Sequence, residues 1–227
     1  MKNNHFQHLL EINLAMLFIS TSGALGRYVQ LPVPVAIGAR AILAFIALFL
    51  YCKWKGFGLK IDKKDTGVIL LSGLLMGTHW IAYFYALKLS NVAIGMLSIF
   101  TYPVITALLE PVSKYNGSML MTYQTAIVGV LLFPFLFTVT SGAIVAQWHV
   151  LVALAILTTA IGHTLFLMTF KHFNITTVSI LSSIQPVYGI IIGAVFLSEI
   201  PRGTTIIGGI LILSSVVIES IRSKKAA

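Results

Sequence analysis

Charged residues are scarce in this sequence. Asp, Glu, Lys and Arg together make up 9% of the 227 residues, and only 6 residues are acidic. Soluble globular domains carry about 25% charged residues. Hydrophobic residues make up 58% of the chain, and the mean hydropathy is +0.96. This composition excludes an ordinary soluble domain and predicts an integral membrane protein.

Cysteine and the common catalytic motifs are also nearly absent. Cys52 is the single cysteine, so an intramolecular disulfide is excluded, and neither a thiol-ligated metal site nor a redox pair is indicated. The sequence contains no P-loop, nucleotide-binding fingerprint or Ser nucleophile motif. Among the spacings typical of metal sites, only His5-x2-His8 comes close. We therefore expect no enzyme activity, no catalytic residue, no cofactor and no metal.

The sequence does have a series of apolar runs, each roughly 20 residues long. At a rise of ~1.5 Å per residue, such a run crosses a hydrocarbon core of ~30 Å as a helix. The connections are short, with the longest polar break from Lys53 to Gly67, and the alternation typical of membrane barrel strands is absent. The first run is interpreted as a retained helix and not as a signal peptide, because it leads straight into further spans. The predicted fold class is an all-α, multi-span helical bundle of about eight spans: 9–29, 33–54, 66–87, 90–112, 118–139, 148–170, 174–197 and 204–221.

The basic residues predict the orientation of these spans. Short loops rich in Lys and Arg stay on the cytoplasmic side. With the N-terminus inside, the cytoplasmic segments hold 11 Lys and Arg residues and the opposite segments hold 3. We therefore expect a multi-pass protein of the plasma or inner membrane with both termini in the cytoplasm. Because the positive charges are spread along the membrane edges, the net charge of +9 indicates no nucleic-acid partner.

One pattern occurs twice in the chain. The segments KLSNVAIGMLSIFTYPV (Lys88–Val104) and KHFNITTVSILSSIQPV (Lys171–Val187) share Lys-x2-Asn-x11-Pro-Val at a distance of 83 residues. The Asn is suited to cap the helix that follows it. The distance corresponds to three spans, so the two copies cross the membrane in opposite directions, as in the inverted-topology repeats of many secondary transporters. The alternative is a chance coincidence of residues that are common at helix boundaries.

The two prolines of this pattern are candidates for a substrate pathway. Pro103 and Pro186 lie 12 residues after the Asn of each copy, near mid-membrane. Each removes a backbone donor and interrupts the hydrogen bonding of its helix. Broken helices at membrane depth tend to line cavities. The alternative is a kink without a functional role.

Arg40 is the strongest single candidate for a functional residue. It is a permanent cation about one-third of the way into the second predicted span. At that depth it must find a carboxylate, carbonyl groups or water, and it could bind the carboxylate of a substrate. The alternative is that its side chain extends to the outer interface, near Pro34.

Further candidates are polar and aromatic residues that share a helix face or occupy equivalent positions in the repeat. For the aromatic residues the alternative is ordinary packing. For the histidines a structural hydrogen bond and a role in the pathway or in proton coupling remain open. The candidates are His79, Trp80 and Tyr83 in the third span, Ser98 and Tyr102 in the fourth, His163 in the sixth, and Ser182 and Gln185 in the seventh.

Two long strings, THWIAYFYALKLSNVAIGMLSIFTYPVITALLEP and NITTVSILSSIQPVYGIIIGAVFLSEIPRGTTIIGGILIL, resemble the EamA-type carriers of the drug/metabolite transporter superfamily. The shared features are the small-residue hairpin, the Pro-Val in mid-helix, and Glu199, which follows Pro186 by 13 residues. The resemblance covers most of the chain. It implies ten transmembrane helices in two inverted repeats of five, and transport of small organic metabolites such as amino acids.

The sequence departs from this family pattern between the repeats. Asn116 occupies the position where the family has its Glu, and another span then begins at once. This pattern predicts that the family's fifth and sixth helices have no counterpart near Val112 and Ser113. We expect a first repeat over residues 1–112 without its closing helix, and a second repeat over residues 113–227 without its first helix.

Together these patterns favour a secondary transporter, a permease or exporter, for small organic metabolites. The expected partners are a small-molecule substrate, the lipid bilayer and, as a candidate, a second copy of the chain. The alternative is a shortened member that does not transport and acts as a membrane partner, or a fragment.

Overall fold

The computed structural model describes residues 2–90, 95, 112, 114–201 and 203–226. Every regular element in this part of the chain is helical, which confirms the predicted all-α class. The fourth predicted span, 90–112, lies outside the described residues apart from Gly95 and Val112. The other seven predicted spans coincide with helical segments that are long and apolar enough to cross a membrane: His5–Tyr28, Val33–Trp54, Lys63–Leu89, Gly117–Thr138, Trp148–Thr169, Ile175–Leu197 and Gly203–Arg222.

Three long helices form the first half of the described chain: α1 (Lys2–Tyr28), α2 (Val33–Trp54) and α3 (Thr66–Leu89). The second half has six helices. These are α4 (Gly117–Leu132), which continues into a 3₁₀ segment at Phe133–Thr138, then α5 (Ser141–Ala146), α6 (Trp148–Thr169), α7 (Ile175–Ser182), α8 (Gln185–Leu197) and α9 (Gly203–Ala226). The middle of α6, Leu154–His163, is a π-helix.

Asparagine side chains cap the N-terminal ends of two of these helices. The side-chain oxygen of Asn116 accepts a hydrogen bond from the backbone N–H of Ser118 at 2.8 Å. Asn174 accepts in the same way from Thr177 at 2.9 Å. Each bond satisfies one of the N–H groups that a helix start leaves free. The capping role predicted from the repeated pattern is confirmed for Asn174, whereas Asn91 lies outside the described residues.

Helices of the first half pack mainly against helices of the second half. The main neighbours of α1 are α6 and α8, and α2 and α3 both pack against α4. Glycines mark the close approaches: Gly38 of α2 faces Leu132, and Gly129 of α4 faces Ile42. Small residues allow membrane helices to come this near to one another. The two sequence halves therefore form one bundle and not two separate units.

Two hydrophobic clusters fill the inside of the bundle. The larger one lies between α2, α3, α4 and α6, and includes the fully buried Ile37, Phe84 and Met121. The smaller one lies where α1 meets α6 and α7, and includes Ile12 and Leu181. Because lipid covers the outside of a membrane protein, burial here marks helix contacts and not a general separation of apolar from polar residues.

Helix α9 lies at the edge of the bundle, where it packs against α7 and α8. Only 11% of its most apolar stretch is buried. Its firmest contact is Glu219, which is 3% exposed and accepts a hydrogen bond from Thr177 Oγ1 at 2.7 Å. Arg222 donates to both oxygens of this carboxylate at 2.7 Å. The paired Glu219 therefore anchors the end of α9 to the start of α7.

A polar cluster connects the loop after α2 to the segment before α4. Lys114 Nζ lies 2.9 Å from Asp62 Oδ2 and 2.7 Å from Asp65 Oδ2. Tyr115 OH donates to Asp65 at 2.7 Å. The hydrogen bond from Lys114 holds the pKa of Asp62 below its usual value. Lys114 and Asp62 are exposed, so water screens their pairing and it contributes little to stability.

The close approach of α3 and α4 predicts the effect of adding one methyl group. A Cβ atom at Gly73 would lie 2.6 Å from Cδ1 and 2.9 Å from Cβ of Ile127. Gly73→Ala should therefore lower the free energy of unfolding by about 1–3 kcal/mol, the usual cost of overpacking, and lower the Tm measured in detergent. Gly67→Ala is the matched control, because a Cβ there meets no atom within 4 Å. Equal Tm values for the two variants would contradict the proposed contact.

Candidate functional site

Arg40 lies inside the bundle, with 1% of its surface exposed. Its Nε donates to Thr159 Oγ1 at 2.7 Å. The guanidinium carbon lies 4.1 Å from the centroid of the Trp80 ring and 5.9 Å from that of Phe84. Side chains from α2, α3 and α6 therefore meet at this cation. The alternative in which Arg40 extends to the outer interface is wrong.

The charge of Arg40 is not neutralised within this part of the chain. None of the ion pairs formed by the described residues includes Arg40. Its Nη2 is buried and donates no hydrogen bond to them. A buried charge is costly unless it is paired, and the contact with the Trp80 ring offsets only part of that cost. The site thus presents a positive charge and a free donor to any anion that reaches it.

The π-helical segment of α6 prepares Thr159 to hold Arg40. Thr159 Oγ1 donates to the carbonyl of Leu154, five residues earlier, at 3.0 Å. A hydroxyl has one proton and two lone pairs, so the oxygen remains free to accept from Arg40. π-Helical turns inside α-helices often occur at functional sites. Here the turn supplies the group that fixes the guanidinium.

His163 also contacts Trp80. The two ring centroids are 5.3 Å apart with an interplanar angle of 81°, an edge-to-face arrangement. His163 Nδ1 lies 2.6 Å from the carbonyl oxygen of Thr158. Because a carbonyl can only accept, this hydrogen bond requires a proton on Nδ1. Trp80 therefore contacts both His163 and Arg40, and these contacts connect α6, α3 and α2.

Tyr83 extends this group of residues toward α1. It is 3% exposed, and its hydroxyl accepts a hydrogen bond from Ser22 at 3.4 Å. His79 lies one turn before Tyr83 on α3 and is partly buried. Of the residues predicted from the sequence, the structure brings together Arg40, Trp80, Tyr83 and His163 in one buried region, which we call the Arg40 cluster, with His79 beside it.

The helix break predicted at the second proline is confirmed. Helix α7 ends at Ser182, and α8 begins at Gln185 with Pro186 in its first turn. All three residues are buried, and the carbonyl oxygen of Gln185 accepts a hydrogen bond from Ser20 Oγ of α1 at 2.9 Å. The broken span therefore packs on α1, which also reaches the Arg40 cluster through Ser22. The equivalent residues of the first copy, Ser98, Tyr102 and Pro103, lie outside the described residues.

Three residues of this region were not predicted from the sequence: Ser22, Thr158 and Thr159. Each is a small hydroxyl residue in an apolar span, and such residues commonly donate to a carbonyl of their own helix. Their position next to Tyr83, His163 and Arg40 arises from helix packing. In the sequence, a cation deep in a span such as Arg40 indicates that neighbouring spans supply polar groups to contact it.

Polar contacts also join the helices at the end of the bundle where α1 ends. Arg27 Nη1 donates to the carbonyl of Leu87 at 2.9 Å, and Arg27 Nε lies 3.7 Å from Glu199 Oε1. Tyr28 OH donates to the carbonyl of Phe196 at 3.2 Å. These contacts connect α1 with the ends of α3 and α8.

Two open cavities lie away from the Arg40 cluster. One of about 340 Å³ is lined by apolar side chains of α2 and α4, including Phe45 and Val130. The other, of about 420 Å³, lies between α2 and α6 and includes Tyr51 and Thr164. Neither is lined by Arg40.

The family of the chain is shown by its match to a family model. The EamA-like transporter family matches twice, over residues 9–113 and 110–221. The chain belongs to the EamA-like transporter family. The double match also shows the two-repeat architecture. Because it belongs to this family, this EamA protein is a multi-pass membrane transporter.

A solved structure shares the fold of this EamA protein. It has a TM-score of 0.70 at 14% sequence identity, and the match covers 96% of this chain and 99% of that chain; its title reads "Crystal structure of protein". The two proteins therefore share one fold over nearly their whole lengths. No curated protein matches the chain.

The unpaired charge of Arg40 predicts an unusual effect on stability. Replacing a buried ion by an apolar side chain of similar size is often neutral or stabilising, by about 1–4 kcal/mol. Arg40→Met should therefore leave the Tm in detergent equal to or above that of the unchanged protein. Arg27→Met is the matched control and should lower the Tm, because Arg27 is bonded to Leu87 and Glu199. A large fall in Tm for Arg40→Met would mean that Arg40 serves the fold.

Proposed function

We propose that this protein is a secondary transporter of small organic metabolites that carry a carboxylate, with amino acids as the first class to test. The observation that supports this most directly is the buried Arg40 with its free Nη2. Polar groups that are buried in membrane spans without an evident structural partner are candidates for a substrate pathway. Arg40 holds the substrate carboxylate in this proposal.

The energetics of the Arg40 cluster favour an anionic group in the substrate. A hydrogen bond between charged partners contributes about 1.5–3 kcal/mol, and an anion also relieves the cost of the unpaired cation. Trp80 and Thr159 hold the guanidinium in place before substrate arrives. Less ordering is then needed on binding. The cluster is a binding site for a carboxylate and has no arrangement of a nucleophile and a base that would favour an enzyme.

The broken span supports transport for a second reason. In many transporters, interrupted helices of inverted repeats meet near the substrate site, and the repeats rock against each other. Here the break at Ser182–Gln185 packs on α1, and α1 connects it to Tyr83. We propose that the pathway is lined by Arg40, His79, Trp80, Tyr83, His163, Ser182, Gln185 and Pro186, together with Ser98, Tyr102 and Pro103 of the first repeat.

Transport measurements with purified protein in liposomes test the proposal. Uptake of a labelled amino acid should be inhibited by other carboxylates but not by their methyl esters, because esterification removes the negative charge. Arg40→Met should reduce uptake at least tenfold, as expected for the loss of about 1.4 kcal/mol or more of binding. Lys60→Met is the matched control, since Lys60 is exposed in the loop after α2. Absence of uptake for every carboxylate offered would contradict the proposal.

We also propose that the protein lies in the plasma or inner membrane with both termini in the cytoplasm, because 11 Lys and Arg residues then lie on the cytoplasmic side and 3 on the other.

Two exposed glycines test this orientation in a Cys52→Ala background. A Cβ at Gly58 or Gly142 meets no atom within 4 Å, so cysteine is tolerated at both. A membrane-impermeant maleimide applied to intact cells should label Gly142→Cys and leave Gly58→Cys unlabelled; the reverse pattern would invert the topology.

A second candidate function follows from the edge position of α9. Its surface is mostly exposed, and Gly203, Gly208 and Gly209 have open space around them. In this alternative the shortened chain does not transport and pairs through α9 with a second copy of itself. Liposomes that show no uptake, together with a dimer mass in detergent, would favour this alternative.

A further inference from the structure

A group of metal-ligating side chains lies at the N-terminal end of α1, away from the Arg40 cluster. His8 and Glu11 project from α1, and His172 comes from the turn between α6 and α7. One ligand atom from each residue lies within 4.8 Å of the other two. His8 Nδ1 and Glu11 Oε2 are 3.4 Å apart, and the His8 and His172 rings are stacked with centroids 3.5 Å apart.

The chemistry of this trio matches a known class of metal site. Two imidazoles and one carboxylate around an open fourth position are the ligands of several zinc enzymes. Ligand atoms bound to one zinc ion lie about 3.3 Å from each other, given bonds of about 2.0–2.1 Å and tetrahedral angles. The His8 to Glu11 distance already has this value. All three side chains are partly or largely exposed, so small side-chain rotations can bring the remaining ligand atoms to the metal.

Another imidazole lies close by: His5 packs edge-on against Phe173, and its Nε2 is buried without a hydrogen bond to the described residues. The end of α1 is therefore rich in imidazole nitrogens.

We propose that His8, Glu11 and His172 bind one zinc ion, which ties the N-terminal end of α1 to the turn between α6 and α7. The ion would fix α1, a helix of the first repeat, against two helices of the second repeat. Water would occupy the fourth position. The proposal does not depend on transport, and it can hold or fail independently of the role of Arg40.

Zinc binding to the full chain tests the proposal directly. The protein is purified in detergent without a polyhistidine tag, stripped with a chelator, and titrated with zinc chloride by calorimetry. One ion per chain is expected. Loss of a residue that only hydrogen-bonds a zinc ligand weakens zinc binding roughly 10- to 100-fold. Because His8 and His172 are proposed as ligands themselves, His8→Ala and His172→Ala should each weaken zinc binding by at least this factor. His149→Ala is the matched control, since His149 is exposed and lies elsewhere on the chain. Absence of binding, or binding that the His8 and His172 variants leave unchanged, would overturn the proposal.

Hydrogen exchange distinguishes a zinc ion that links α1 to the turn between α6 and α7 from a zinc ion bound by α1 alone. Zinc should slow amide exchange over residues 5–11 in the unchanged protein. The same protection should be absent in His172→Ala, although that substitution lies in a different turn. Protection of α1 that persists in His172→Ala would show that the turn is not part of the site. Retention of the elution volume in gel filtration shows that each variant remains folded.

Discussion

A permanent cation that has no carboxylate partner in the described chain lies at the junction of three spans, and its requirements shape the bundle around it. Arg40 cannot lose its proton, so its charge has to be held by dipoles and ring faces. Thr159 supplies an oxygen from α6, and Trp80 supplies a ring from α3. Both groups are useful only if α2, α3 and α6 keep their relative positions. The packing of these helices is therefore also the geometry of the site.

The close packing around Arg40 relies on backbone features that a regular helix does not have. The π-helical turn in α6 shifts the hydrogen bonding by one residue and leaves Thr159 able to accept from Arg40. The break at Ser182–Gln185 is supported from outside the span, because Ser20 of α1 donates to the Gln185 carbonyl. Backbone groups at membrane depth need such partners, since no water is available to replace them. Irregular backbone thus occurs where neighbouring helices can satisfy it.

The sequence predicts the helices well because the bilayer sets their length, and it predicts Asn174 as a cap because a side-chain amide suits that position. Arg40 is visible as a candidate because charge is rare in a span. Thr159 is not visible, because its role depends on a π-helical turn that apolar composition does not specify. The group at His8 and Glu11 is hidden for a different reason: His172 is far away in sequence, and only the packing of α1 on α6 and α7 brings it near. Glu219 looks like an exposed residue at a span end, but it is buried because Thr177 and Arg222 satisfy its carboxylate.

The way in which the two repeats combine bears on the prediction that the family's two central helices have no counterpart in this chain. Most described contacts run between the halves: α1 lies against α6 and α8, and α2 and α3 lie against α4. A bundle without two helices at the junction of the repeats would keep these contacts, because none of them involves the junction. The Arg40 cluster is also built across the halves, from α2 and α3 on one side and α6 on the other. Helix α9 has little of its most apolar stretch buried. Lipid can cover such an apolar helix at no cost in unpaired polar groups, so a bundle shortened as predicted would keep both its core and its buried cation.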